Sequence, residues 1–392
     1  MPTTEASVAA IGQRPRATVA ERAGLSPRLI WAALAIFLAT RVFFVAITLA
    51  GLWYLRRPIT PSEFLLSWSR YDVKNYAGIA SAGYQTGPLI TRAAFFPLQP
   101  LLAAALAPLA GGNTFISTMV VSNLAFIGAL LGMGALARLD QGDAGAVRAM
   151  LLLALYPMAF FTFAGYSESI YLLCAIWTLV AVRRGWAARA GVMGLLATLA
   201  RQMGLFLALP IAIDSLRRAQ WDVRRLRVSV VAVIGPALGL ALFCAWLWHA
   251  VGDPLAFAHV EAYWKHSFAL PWVTFAQAIH QIPQQPYRVM VIRALVDFIL
   301  TVIFFALIVT GARRLPLGET LYSLAVWLLV VCYPSAIWAM QSDARYMLSL
   351  VPCFLTLSWL TRKRWAFAAT LALSVALLFL MSFYFARGYV II

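Results

Sequence analysis

Uncharged apolar stretches recur along the whole chain and are separated by short polar segments. Most are about 20 residues long, the length at which an α-helix crosses a hydrocarbon layer of roughly 30 Å. The pattern therefore predicts an all-α, polytopic membrane protein. The predicted spans are residues 29–52, 115–137, 149–165, 168–182, 228–250, 289–311, 319–335, 345–361 and 365–386.

Two further apolar stretches do not behave as simple spans. Residues 190–213 carry Arg201 midway and basic clusters on both flanks, so a single crossing would place one cluster outside. We interpret them as a broken or re-entrant helix pair with Arg201 near the outer side, since polar groups at depth must line a cavity. Residues 94–112 contain three prolines, and whether they cross the membrane stays open. The total predicted is roughly 9–12 transmembrane or re-entrant helices.

Composition changes the picture by excluding a soluble protein. Of 392 residues, 63% are hydrophobic and 11% charged, whereas an average soluble domain is about half apolar and a quarter charged. Lys and Arg outnumber Asp and Glu by 31 to 14, but these cations fall in short clusters between apolar segments. Such clusters orient helices in a membrane and do not indicate nucleic-acid binding. The clusters at 183–189, 217–227, 313–314 and 362–364 are therefore predicted to be cytoplasmic.

The same charge rule divides the chain into a tail and a membrane domain. Residues 1–28 carry four arginines and are predicted to be a disordered cytoplasmic tail, followed by one membrane domain over 29–392. The apolar run after the tail is too long for a cleaved signal, so the first helix should remain. The loops 53–92 and 251–288 then face outside. The four cysteines lie in apolar runs without zinc-site spacing, so neither a disulfide framework nor a metal site is predicted.

The first outer loop carries the most informative carboxylate. It holds only two acids, Glu63 and Asp72. The apolar residues after Asp72 recur at helical spacing, which is typical of a short helix lying along the membrane surface. A carboxylate there lies beside a cleft, although Asp72 could equally pair with Arg70 or Lys74 on a solvated face.

This loop also resembles a known family signature. The segment SRYDVKNYAGIASAGY (69–84), followed by AFFPLQPLL (94–102), resembles the pattern of the mannosyltransferases related to GPI mannosyltransferase 2. Two departures are visible, because Tyr71 stands where the family usually has Trp and Ala344 where it often has Pro. The further matches, in chain order, are YPMAFFTFAGYSESIYLL (156–173), GLLATLARQMGLFLALP (194–210), GDPLAFAHVEAYW (252–264) and ARYMLSLVP (344–352).

The resemblance implies a glycosyltransferase of the GT-C type, a multi-spanning enzyme that takes a sugar, here mannose, from a polyprenyl-phosphate carrier. The implied acceptor is a lipid-linked glycan, a glycolipid or a protein, and no cofactor is needed beyond the lipid-linked donor. The other partners are membrane lipids. Because arginine far outnumbers lysine, a bias we associate with GC-rich bacterial genomes, the expected location is the bacterial plasma membrane, with the active site facing the periplasmic or extracellular side.

The chemistry of an inverting transfer assigns roles to the charged residues. One carboxylate must take the proton of the acceptor hydroxyl, while the phosphate leaving group needs charge stabilisation. We assign Asp72 as the base and Arg201 and Arg345 as phosphate ligands, because a guanidinium donates two hydrogen bonds in one plane. Each arginine could otherwise snorkel to lipid headgroups.

The remaining cleft residues are predicted with less specific roles. Glu168, near the outer surface, is expected to bind sugar hydroxyls or orient Arg201, or else to cap the helix that follows Ser167. Histidines and aromatic residues in the 251–288 loop are expected to contact the acceptor or pack at the surface. The other residues expected in the cleft are Tyr71, Lys74, Tyr76, Tyr84, Gln99, Tyr166, Gln202 and Tyr346. Arg41, midway along the first span, needs a polar partner that the sequence does not identify.

Two alternatives stay open. Intramembrane Arg and Glu beside a broken helix pair also describe the substrate sites of transporters and flippases. Transporters usually show two halves with matching hydropathy, however, and the aromatic loop around Asp72 has no later counterpart. A GT-C enzyme that transfers another polyprenyl-phosphate-linked sugar fits the residues equally well.

Overall fold

The computed structural model describes residues 24–222 and 228–389 and is built from α-helices. Most of the predicted tail and the 223–227 part of one basic cluster lie outside the described residues. The α-helices, in chain order, are α1 (Pro27–Tyr54), α2 (Pro61–Trp68), α3 (Asp72–Ala82), α4 (Leu98–Leu106), α5 (Thr114–Ala154), α6 (Glu168–Arg184), α7 (Ala187–Ala200), α8 (Ala208–Arg218), α9 (Val228–Val251), α10 (Ala256–His259), α11 (Pro271–Gln281), α12 (Arg288–Gly311), α13 (Leu317–Val331), α14 (Asp343–Met347), α15 (Val351–Leu360) and α16 (Arg364–Arg387). Short 3₁₀ helices lie at Gly87–Ala94, Ala107–Ala110, Ala159–Thr162, Gln202–Leu207, Val260–Trp264 and Ile282–Gln284.

Long apolar helices confirm the prediction of an all-α, polytopic membrane protein. Within the described ranges, five helices are long and apolar enough to cross a bilayer, namely α1, α5, most of α9, α12 and α16. Residues 94–112, whose crossing the sequence left open, overlap a helix pair, Gly87–Ala94 and Leu98–Ala110, that is bent by 106°. Three further apolar helices, α7, α13 and α15, are shorter, with 10–17 residues.

The predicted span at 149–165 is wrong. The helix α5 continues from Thr114 to Ala154 across a break at Gly142, whose φ of 63° favours glycine, and it ends before Pro157. Proline lacks the backbone N–H and disfavours helical geometry in the residue before it, so the helix cannot continue. Residues 155–167 instead form a buried segment with only one short 3₁₀ helix, which we call the buried loop.

The predicted span at 345–361 is also interrupted. It consists of the five-residue α14 and the separate α15, with a break between Met347 and Val351. Pro352 at the start of α15 cannot donate to the carbonyl of Leu348, four residues earlier. The break leaves Arg345 on a short helix of its own.

Side chains from the neighbouring helices satisfy the carbonyls of the buried loop. Because no water is available in a bilayer interior, irregular backbone is tolerated there only when protein groups pair with it. The hydrogen bonds, with donor first, are Arg41 Nη2 to Thr162 O at 3.0 Å, Asn123 Nδ2 to Phe163 O at 3.3 Å, Gln99 Nε2 to Gly165 O at 3.1 Å and Ser122 Oγ to Tyr166 O at 2.6 Å. Arg41 thus has its partners, since its Nε also donates to Asn123 Oδ1 at 2.8 Å.

Residues 187–218 form the broken, returning pair that the sequence predicted. Arg201 interrupts the helix in extended geometry, and the following 3₁₀ helix folds back so closely that a Cβ on Gly204 would lie 2.2 Å from the backbone nitrogen of Thr198. Arg201 contacts Glu168 at the start of α6, whereas Arg218 donates to the carbonyl of Val182 near its end. The 17 residues of α6 cover about 25 Å, so Arg184 and Arg218 lie at the end of the bundle opposite to Arg201.

This arrangement generates a prediction about topology. In a variant without native cysteines, single cysteines replacing Ala188 or Gln220, both exposed, should be labelled only from the cytoplasmic side by a membrane-impermeant maleimide. The reason is that both positions flank basic clusters at one end of the bundle. Labelling of either cysteine in intact cells from outside would contradict the shared cytoplasmic location.

A second prediction concerns the buried loop. Arg41→Met keeps the length of the side chain but removes the donors to Thr162 and Asn123, and we expect it to destabilise the protein by about 1–3 kcal/mol. Arg57→Met, at a half-exposed arginine that pairs with Glu63 on the surface, should change stability by less than about 0.5 kcal/mol. Thermal unfolding in detergent measures both, and equal midpoints for the two variants would show that Arg41 does not hold the loop.

Candidate functional site

A cleft with a volume of about 160 Å³ opens between α3, the break after α7, the 256–266 segment and α14. Its wall combines aromatic rings with charged and amide side chains. The lining residues are Asp72, Tyr76, Ala94, Phe95, Phe96, Ala200, Arg201, Gln202, Met203, Glu261, Trp264, His266, Gln341, Ser342, Arg345 and Tyr346. Elements far apart in sequence therefore meet at one cavity.

Four charged side chains form a connected cluster at this cleft. Arg345 Nη1 donates to Asp72 Oδ2 at 2.6 Å, and its Nε donates to Glu168 Oε1. Arg201 Nη1 donates to the same Glu168 oxygen at 2.6 Å. The side chain of Glu168 is only 2% exposed, whereas that of Asp72 is 20% exposed. Glu168 therefore holds both guanidinium groups from behind, and Asp72 faces the open side.

Aromatic rings surround the two arginines. The guanidinium of Arg345 lies 4.6 Å from the ring centres of Phe161 and Tyr166, both from the buried loop, and Arg201 lies 5.2 Å from that of Tyr346. Ring faces attract cations, so these contacts stabilise charge in a place with little water. The two arginines and two carboxylates also balance in charge, which limits the cost of burying them.

Backbone strain occurs just before two of the charged residues. Tyr71, with φ 52°, directly precedes Asp72 at the start of α3, and Ser342, with φ 67°, precedes α14 and Arg345. A non-glycine residue in this region costs about 1–3 kcal/mol and persists where surrounding structure imposes it. In both cases the turn directs the start of a short helix into the cleft.

Six of the residues predicted for the cleft line it, namely Asp72, Tyr76, Arg201, Gln202, Arg345 and Tyr346. Two more lie just behind the wall. Glu168 bridges the arginines, and Tyr166 packs beneath Arg345 while its hydroxyl donates to the carbonyl of Arg70 at 3.2 Å. The contact of Glu168 with Arg201 is the one that its predicted orienting role requires, and the role itself stays a prediction.

Four predicted residues do not line the cleft. Gln99 is fully buried and donates to Thr118, Ser122 and the buried loop, so its role is to hold backbone. The Tyr84 hydroxyl donates to the carbonyl of Phe95 at 2.5 Å. That of Tyr71 reaches Gly388, and Lys74 is exposed. A position close to Asp72 or within a motif does not bring a side chain into the cleft, because neighbouring residues of a helix point to different faces.

The 256–266 segment supplies residues to which the sequence gave no definite role. Glu261, Trp264 and His266 line the cleft, and the segment is fixed by the bond from Ser335 Oγ to the carbonyl of Trp264 at 2.9 Å. Burial raises the pKa of Glu261 above its usual value, and His266 opposes this rise. The motif GDPLAFAHVEAYW contains Glu261 and Trp264, but the sequence predicted only acceptor contact or surface packing for this loop and favoured an interfacial anchor for Trp264.

Comparison with known proteins yields distant structural similarity alone. No protein-family model matches the chain, and no curated protein matches its sequence. The fold is similar to a crystal structure of ArnT from Cupriavidus metallidurans bound to undecaprenyl phosphate, with 15% identity, a TM-score of 0.48, and coverage of 84% of this chain and 61% of that one. It is also similar to AglB from Archaeoglobus fulgidus in complex with an inhibitory peptide and a dolichol-phosphate, with 12% identity, a TM-score of 0.43, and coverage of 91% and 55%.

The apo oligosaccharyltransferase of Archaeoglobus fulgidus gives similar values, with 13% identity, a TM-score of 0.44, and coverage of 91% of this chain and 56% of that one. The chain therefore spans about three fifths or less of the length of these solved proteins. Its resemblance to the mannosyltransferases related to GPI mannosyltransferase 2 stays a prediction from sequence motifs.

Proposed function

We propose that the protein is an inverting GT-C glycosyltransferase that moves a hexose from a polyprenyl phosphate to an acceptor hydroxyl. The observation that carries this proposal is the convergence of two largely buried arginines and one partly exposed carboxylate on a single cleft in a membrane bundle. Mannose is the sugar favoured by the five sequence motifs. The chemistry is proposed to take place at the outer face of a bacterial plasma membrane.

Arg201 and Arg345 are suited to hold the donor phosphate. Both line the cleft, and both are bound from behind by Glu168, so their guanidinium groups are oriented before a ligand arrives. A guanidinium stays charged near lipid and matches phosphate oxygens with paired hydrogen bonds. Preorganised cations of this kind stabilise the negative charge that develops on a leaving phosphate.

Asp72 is suited to act as the general base. Its Oδ2 accepts from Arg345 Nη1 in the structure, so a donor phosphate that binds Arg345 competes for the same guanidinium and releases the carboxylate. The acceptor oxygen then attacks C1 of the sugar, its proton passes to Asp72, and the bond from C1 to the phosphate oxygen breaks. Polyprenyl phosphate leaves with the electron pair of that bond.

The 256–266 segment is proposed to contact the acceptor. Trp264 offers an apolar ring face to a sugar, and Glu261 and His266 offer hydrogen bonds to its hydroxyls. Because burial raises the pKa of Glu261, its protonated form persists to a higher pH than that of a free carboxyl, so it can donate to a hydroxyl oxygen. The acceptor classes that fit are a lipid-linked glycan, a glycolipid and a protein.

The undecaprenyl phosphate and dolichol-phosphate bound in two of the solved proteins belong to the same chemical class as the proposed donor. The proposal itself rests on the charges of the cleft and on the sequence motifs.

The role of Asp72 predicts a selective loss of transfer. Asp72→Asn keeps the size of the side chain but removes its ability to accept a proton, so turnover should fall by about 10²- to 10⁴-fold while donor binding survives. Glu63→Gln alters the other acid of the same loop, which pairs with Arg57 on the surface, and should leave turnover unchanged. The assay is transfer from synthetic polyprenyl-phosphate mannose in membranes with equal protein abundance. Parent-like turnover by Asp72→Asn would move the search for the base to another carboxylate.

The role of the arginines predicts graded losses of donor binding. Arg→Lys at 201 or 345 keeps the charge but loses the planar pair of donors and should weaken donor binding, and Arg→Ala should weaken it further. Arg138→Lys, at the Asp143 pair that lies at the opposite end of the bundle, is the matched control and should bind donor normally. If folded alanine variants bind donor and turn over as the parent does, these arginines are headgroup anchors.

A further inference from the structure

Arg345 lies on a helix that cannot hold its own position. The helix α14 has five residues, begins after the strained turn at Ser342 and is cut off from α15 by residues 348–350. A single helical turn does not recover the entropy of its nucleation, so tertiary contacts must fix it. Contacts from other elements must therefore orient Arg345 toward the cleft.

The peptide groups next to Arg345 are held by two side chains from elsewhere in the bundle. The amide nitrogen of Ala344 donates to Asp297 Oδ1 at 2.9 Å, and the carbonyl of Ala344 accepts from the Tyr156 hydroxyl at 2.7 Å. That carbonyl belongs to the peptide bond that joins Ala344 to Arg345. Both peptide planes directly before the arginine are therefore fixed from outside α14.

The two side chains that hold this backbone are themselves rigid. Asp297 lies on the long helix α12, is 2% exposed and pairs through Oδ2 with Arg293 Nε at 3.4 Å. The guanidinium of Arg293 lies 4.3 Å from the ring centre of Trp338. The Tyr156 ring packs edge-on against Phe304 and Phe354. A carboxylate anchored to a membrane-length helix and a packed phenol are suitable reference points for a helix of one turn.

We propose that Asp297 and Tyr156 are positioning residues that fix the backbone of Arg345 and thereby orient its guanidinium toward the phosphate of the donor. Neither residue lines the cleft, so each acts through Arg345. This inference rests on the proposed function, because it assigns the phosphate to Arg345. Asp297 shares its two oxygens between Ala344 and Arg293, which is why an amide with one oxygen cannot replace it fully.

The test measures binding of a polyprenyl phosphate without sugar to purified protein in detergent. Tyr156→Phe removes only a hydroxyl and leaves no charge unpaired, and Asp297→Asn removes one acceptor oxygen. Each should weaken binding by about 2- to 10-fold, the effect expected for one lost hydrogen bond. Thr301→Val is the matched control, since among the described residues this buried hydroxyl bonds to the carbonyl of Asp297 within the same helix and to no part of α14. It should bind as the parent does.

A second measurement tests whether Asp297 restrains the backbone amide of Ala344. In Asp297→Asn the Arg293 guanidinium, which can only donate, requires the remaining oxygen, so the NH2 group faces Ala344 and cannot accept from its amide. Hydrogen exchange of the Ala344 amide should therefore be faster in Asp297→Asn than in the parent and unchanged in Thr301→Val. Equal exchange in the parent and in Asp297→Asn would overturn the inference, because Asp297 would then not be restraining that amide.

The decisive step repeats the binding measurement with Arg345→Ala as the background. If the two residues act through Arg345, Tyr156→Phe and Asp297→Asn should weaken binding no further there. An equal loss in both backgrounds would show a general effect on the fold and overturn the inference. Parent-like binding by Tyr156→Phe and Asp297→Asn, with a loss in Arg345→Ala alone, would overturn it while the proposed function stands. Parent-like binding by Arg345→Ala would remove the phosphate role and the inference together.

Discussion

The carboxylate of Glu168 is the interaction on which the site depends. One of its oxygens accepts from both Arg201 and Arg345, which arrive on a broken helix pair and on a five-residue helix. Neither α7, with 14 residues, nor α14, with five, has the length to span a membrane. By pairing with both, Glu168 brings them to one place and brings Arg345 within reach of Asp72.

Glu168 in turn begins α6 directly after the buried loop, whose one regular element is a short 3₁₀ helix. The buried loop before it would be untenable in a bilayer if its carbonyls were unpaired, because each would lack water as a partner. Arg41, Asn123, Gln99 and Ser122 provide those partners from α1, α4 and α5. An arginine in the middle of the first span is thus explained by backbone chemistry, and the cleft is supported by polar groups that do not themselves face a substrate.

Hydropathy and charge predicted much of this structure because they act locally. Long apolar runs become long helices, and basic flanks around Arg201 required a segment that returns to its starting side, which the contact of Arg218 with Val182 confirms. The sequence analysis missed the break around Leu348 and the end of α5 before Pro157. Mean hydropathy reports how apolar a segment is and does not report where its helical backbone is interrupted. The displacement of Gln99 and Tyr84 from the cleft was out of reach for another reason. Their directions depend on which distant carbonyl each side chain meets, and no pattern along the chain encodes that meeting.

The order of the four charged residues along the chain also determines when the site is assembled during synthesis. Chains emerge from the ribosome from the N-terminus, so Asp72 and Glu168 enter the membrane first, Arg201 follows, and Arg345 comes only after α9, α12 and α13. During synthesis Glu168 therefore has Arg201 as its first cationic partner, and Asp72 lacks its arginine until the last third of the chain is in place. The site closes at the end of biogenesis, when α14 docks, and a nascent chain stopped before that point holds the carboxylates without the group that links them.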